Sequence, residues 1–135
     1  MSPDIEFSYN GLLFNPPAPA LSAEWRSPAA TSEPNPKLLP ALIDTGADCS
    51  TLPQILIESL RLQQVSEEWV RGYDDEKPVQ KPVYSVHLTV TPLTPILVPV
   101  IPNDSADHAI IGRDVINTWL ITLNGPKLKA QVSQS

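Results

Sequence analysis

The chain has 135 residues and a mass of 14.7 kDa, with a formal charge of −6 and a single cysteine. A chain of this length forms one domain and buries roughly two-thirds of the surface it exposes when unfolded. The acidic balance excludes a phosphate-backbone binder, so no nucleic-acid partner is expected. No apolar run reaches the length of a membrane span, and the lone Cys49 excludes an internal disulfide framework. No signal peptide is expected from the acidic start Met1-Ser2-Pro3-Asp4, and a reducing, cytoplasmic setting suits the single thiol. Sixteen prolines, eight of them before Ala41, argue against an all-helical chain.

In chain order, residues 1–19 are expected to form an extended N-terminal extension, with an Asn10-Gly11 turn signal and the run Asn15-Pro16-Pro17-Ala18-Pro19. Residues 20–135 are expected to form the domain. Leu21 to Arg26 alternates as a strand, a Pro/Ser/Asn-rich loop fills 27–37, and Leu38 to Ile43 returns as the second arm of a hairpin. Asp44 to Pro53 reads as strand–turn–strand. Gln54 to Gln63 reads as a short helix with Ile55, Leu56, Leu60 and Leu62 inward. Strands are expected at 68–72, 83–90 and 96–101, the last at an edge or bulge because of Pro99. A buried strand Ala109–Ile111, a helix 113–119 and strands at 120–123 and 127–132 complete an all-β chain of eight or nine strands and two short helices.

The segment Leu42-Ile43-Asp44-Thr45-Gly46-Ala47 carries chemistry. An apolar strand delivers a carboxylate to its end, a hydroxyl follows, and a glycine permits a tight turn and close approach. Two such carboxylates facing each other share a proton, one then serving as base for a water and the other as acid. Asp-Thr-Gly alone is only a turn signal. Its context adds weight: Ile110-Ile111-Gly112-Arg113-Asp114 follows about sixty residues on.

Together, Ala41 to Asp48, Val70-Arg71-Gly72-Tyr73 and Ile110 to Asp114 resemble the retropepsins, the retroviral-type aspartic proteases, and their bacterial relatives most closely. The resemblance spans roughly Leu21 to Val132. It implies an all-β half-barrel with one or two short helices, acting as a homodimer. It implies an aspartic endopeptidase that hydrolyses peptide or protein substrates without metal or cofactor. Asp44, Thr45 and Gly46 match the catalytic triplet, and Thr45 the threonine that braces the partner's loop. Ala47 and Asp48 match substrate-binding positions, as do Gly72, Tyr73 and Asp74 in the flap. Ile110, Ile111 and Gly112 match the support behind the catalytic loop, and Arg113 the arginine that pairs with Asp48, an ion pair expected to be partly buried. Only one triplet is present, so a two-fold homodimer is the economical way to supply two carboxylates. The flap run Asp74-Asp75-Glu76 departs from the family's glycine-rich pattern. It leaves a catalytically weak or inactive binding and dimerisation module as the alternative. A third possibility is a β domain in which Asp44 marks only a turn. Cys49 reads as a small core residue whose carboxylate neighbours raise its pKa, and His87 and His108 are too isolated for a metal site.

Overall fold

The computed structural model describes residues 4–29, 35–71 and 77–134. Ten strands and two short helices are present among them. Six strands close into a barrel: β2 (Ala20–Arg26), β3 (Lys37–Ile43), β8 (Ala109–Ile111), β4 (Ser50–Pro53), β7 (Ile96–Asn103) and β6 (Val79–Thr89), in that order, with β2 pairing back onto β6. β5 (Gln64–Val70) pairs only with β6 and extends the sheet beyond the closed part. A separate three-stranded antiparallel sheet orders β1 (Asp4–Ser8), β10 (Lys129–Gln134) and β9 (Trp119–Asn124). β1 therefore lies along β10, and its Ile5 and Phe7 pack against the core.

The alternation read from the sequence explains the barrel's interior. In β2, Leu21, Ala23 and Trp25 are buried, and the Trp25 indole Nε1–H donates to Leu39 O at 3.2 Å. In β6, Val86 and Leu88 face inward and pack in one core with Val98 and Val100 of β7. Burying each such side chain contributes on the order of 1.5–3 kcal/mol. Pro99 lies where β6 is its strand neighbour, opposite Ser85, because the pairing with β4 begins only at Val100. The missing N–H falls on a locally edge-like stretch, as a proline in a strand requires.

The first helix, α1 (Gln54–Ser59), is shorter than the periodicity implies. Arg61 takes a left-handed φ of 53°, and Leu62 N donates to Ile57 O at 3.1 Å while Arg61 N donates to Glu58 O at 3.0 Å. This closing pattern satisfies the last carbonyls and stops the helix. Ile57, not Ile55, takes the inward position; Ile55 is 67% exposed. The strand expected at 68–72 instead runs over Gln64–Val70. The second helix, α2 (Arg113–Ile116), is a single turn that leads into β9. No helix of the described residues is long and apolar enough to cross a membrane.

Candidate active site

β3 and β4 both flank the short strand β8, β3 in parallel and β4 antiparallel. The connection 44–49 must therefore cross over the C-terminal end of β8. Asp44 N extends the β3–β8 ladder by donating to Ile111 O at 3.0 Å. The chain then turns: Gly46 N donates to Asp44 Oδ1 at 2.9 Å and Ala47 N to Asp44 O at 3.1 Å. No glycine in the described residues has a left-handed φ, so Gly46 is not needed for a special backbone conformation. Its value is space, since an added Cβ would come within 3.3 Å of Asp44 Oδ1.

The end of β8 and the start of α2 fasten this loop from below. Arg113 N donates to Ala47 O at 2.9 Å, its Nη1 donates to Thr45 O at 3.0 Å, and its Nη2 pairs with Asp48 Oδ1. Gly112 presses against the loop so closely that a Cβ would meet Cys49 C and O at 2.7 Å. The ion pair is exposed, with side-chain exposures of 47% for Arg113 and 85% for Asp48, rather than partly buried. Solvent screening holds such a pair to about 0–1 kcal/mol. Arg113→Ala is therefore expected to lower the unfolding temperature by less than ~4 °C. Amide exchange at Gly46 and Ala47 should accelerate by about tenfold, because the loop loses a local anchor while the barrel keeps its ladders. Unchanged exchange at both amides would show that Arg113 does not hold the loop.

A second fastening was not legible in the sequence. Ser50 opens β4 fully buried. Its Oγ donates to Asp114 Oδ1 at 2.7 Å and accepts from Gly112 N at 3.0 Å, and its N–H donates to Asp114 Oδ2 at 3.1 Å. Asp114 Oδ1 also accepts from Val115 N at 2.9 Å. Asp114 thus joins the start of β4, the end of β8 and the first turn of α2. The one hint was a serine opening an apolar strand, since a buried hydroxyl must find a partner.

Beside the loop lies a cleft of about 590 Å³, bordered by Gly46 to Cys49, Thr51, Val83, Val100 and Asp114, with β5 as its other wall. Cys49 borders this cleft and is half-buried, not a closed core residue. Its thiol is held above the usual cysteine range, first by desolvation, then by the negative charges of Asp114, Asp48 and Glu68. The thiol is thereby disfavoured as a nucleophile. Among the described residues, no group of three or more His, Cys, Asp or Glu side chains stands close enough to hold a metal ion.

Of the positions singled out in the sequence, Asp44, Thr45, Gly46, Ala47 and Asp48 form one loop. Ile111, Gly112 and Arg113 bond or pack directly against it. Asp44 is partly buried, whereas Thr45 is exposed and its hydroxyl has no hydrogen-bond partner among the described residues. Gly72, Tyr73 and Asp74, with Asp75 and Glu76, lie outside the described residues.

No protein-family model matches the chain, and no curated protein matches it. Solved structures do. A retropepsin-like aspartic protease from Rickettsia conorii aligns over 99% of this chain and 93% of that one, at 10% identity and a TM-score of 0.61. EIAV protease in complex with an inhibitor aligns over 74% of this chain and 86% of that one, at 21% identity and a TM-score of 0.51. The closed six-strand order, the Asp44 loop crossing β8 and these two likenesses identify the chain as one with the all-β retropepsin fold.

Proposed function

We propose that the chain is an aspartic endopeptidase acting as a homodimer, in which the Asp44 carboxylates of two copies share one catalytic water. The observation that carries this reading is the placement of Asp44. Its carboxylate sits at the end of a barrel strand, on a loop anchored from two sides, and the next residues of that loop, Gly46 to Cys49, border a cleft of about 590 Å³. One chain supplies one such carboxylate, and a two-fold axis supplies the second. Thr45's exposed hydroxyl, unpartnered among the described residues, suits a contact with the partner's loop. Among the described residues β9 pairs only with β10, and it exposes Leu120 and Leu123, which suits burial against the second copy.

In the proposed reaction, the ionised carboxylate takes a proton from the water, and the water oxygen bonds to the scissile carbonyl carbon. The protonated carboxylate gives its proton to the carbonyl oxygen, leaving a tetrahedral diol. Collapse of the diol breaks the C–N bond. The proton taken from the water passes to the departing nitrogen, and a diol hydroxyl returns its proton to the other carboxylate. The dyad is thus restored with one proton. Asp48 and Ala47, on the rim of the cleft, are the proposed contacts for the substrate backbone, and Gly72, Tyr73 and Asp74 are the proposed flap contacts. Arg113, Gly112 and Ile111 act as positioning residues, and the single thiol suits a reducing cytoplasmic setting.

Titration with a statine-type mimic of the diol tests the reading. The expected result is complete inhibition of peptide cleavage at about one inhibitor per two chains, the stoichiometry of a shared two-fold site. Absence of both binding and cleavage would leave the inactive-module alternative in its place.

A further inference from the structure

The wall of the cleft contributed by β5 carries an unusual combination. Val65, Ser66, Glu68, Trp69 and Val70 all border the cavity, opposite Val83, Pro99 and Ile101. The apolar members form a slot suited to a hydrocarbon stem. Ser66, Glu68 and Val70 share one face of β5, and Trp69, 69% exposed, alternates to the other.

Three carboxylates border the same cavity, yet they differ in what they already do. Asp48 is paired with Arg113. Asp114 accepts from the Ser50 hydroxyl and from two backbone amides. Glu68 has neither an ion pair nor a hydrogen bond among the described residues. Lys81 stands opposite Glu68 in the β5–β6 register without forming an ion pair with it, and Arg71 on the same rim is already engaged. Glu68 is therefore the uncommitted charge of the cleft. Its influence on the Cys49 thiol, across the cavity, is consistent with its facing inward.

Building on the peptidase reading, we propose that this cleft takes a lysine or arginine side chain of the substrate, its stem in the Val65, Val83 and Pro99 slot and its cationic end against the Glu68 carboxylate. A cation at that point gains a charge-assisted hydrogen bond without displacing an existing partner. An acidic side chain at the same point meets the Glu68 carboxylate instead. The chain's net charge of −6 adds a long-range preference of the same sign.

The test uses three peptides that differ at one residue: lysine, norleucine (the same stem without the charge) and glutamate. Binding is measured to the full chain carrying Asp44→Asn, and cleavage is measured with the parent. The lysine peptide is expected to bind about tenfold more tightly than norleucine, the scale of one charge-assisted hydrogen bond. Glu68→Gln should remove that ratio, and Glu68→Lys should make the glutamate peptide the preferred one. Cleavage of all three with no lysine preference overturns the proposal and keeps the peptidase. Lysine-selective binding without cleavage by the parent does the reverse. A lysine preference that survives Glu68→Gln overturns the assignment to Glu68, and failure of all three peptides to bind or be cut overturns both readings.

Discussion

Asp44→Asn is expected to leave the barrel intact and to abolish peptide cleavage. The structural half of this expectation follows from the loop. Among the described residues, the one side-chain bond that Asp44 makes is as acceptor from Gly46 N–H at 2.9 Å, and the amide oxygen of asparagine accepts the same bond. The unfolding temperature should therefore shift by no more than ~3 °C, the effect of less than about 1 kcal/mol in a domain of this size. The chemical half follows from the loss of the base. An amide cannot take a proton from water, and general acid–base catalysis by positioned groups is worth about 10²–10⁴-fold. In a two-fold site the substitution removes acid and base together, so the loss should reach the upper end of that range.

Mixing variant and parent chains separates this mechanism from one confined to a single chain. If two copies assemble at random and one carboxylate does not suffice, an equimolar mixture retains about a quarter of the parent rate per total site. A self-sufficient monomer would retain half. A rate equal to the parent's in pure Asp44→Asn protein would remove Asp44 from the mechanism altogether.

How far the sequence alone carried the fold depends on the range of the interaction involved. Alternation over Leu21–Arg26 and Val83–Val90 is a local pattern; the first strand formed within one residue of where the period placed it, and the second ends at Thr89 but begins four residues earlier, at Val79. The end of α1 is also local in origin but was invisible: a left-handed Arg61 carries none of the glycine or asparagine signal that usually marks such a stop. β5 was displaced toward Gln64 because a strand exposed on both faces leaves no hydrophobic period to read. The Asp44 loop was legible because Asp-Thr-Gly and Gly-Arg-Asp are contiguous motifs, and the structure brings the two together through Arg113. The Ser50–Asp114 link was not, because it joins residues 64 positions apart whose local sequence gives no reason to pair them. Glu68 reaches the cleft only through strand pairing with β6, so no motif announced it.

Gly112 shows why one of those contiguous motifs contains a glycine. Its backbone, at φ −94° and ψ −174°, is ordinary extended chain that any residue adopts. The constraint lies in what surrounds it. An added Cβ meets Cys49 C and O at 2.7 Å and Ala47 O at 3.0 Å, all backbone atoms of the loop that carries Asp44. That loop cannot yield freely. Ala47 O is the acceptor for Arg113 N, and Ser50, one residue past Cys49, is pinned by Asp114 and by Gly112's own N–H. Gly112→Ala should therefore destabilise the fold by about 2–3 kcal/mol, the cost of overpacking against groups with no rotamer to change. In a domain of this size that lowers the unfolding temperature by about 10 °C. Gly125→Ala is the matched control, since its Cβ meets nothing within 4 Å and its φ is not left-handed. That variant should stay within about 0.5 kcal/mol of the parent. At a temperature where both variants remain folded, Gly112→Ala should still lose most peptide cleavage, because relief of the clash moves the Asp44 loop off β8. Equal stability and equal activity in the two alanine variants would show that the loop has room to move, and that the close approach at Gly112 does not fix the Asp44 carboxylate.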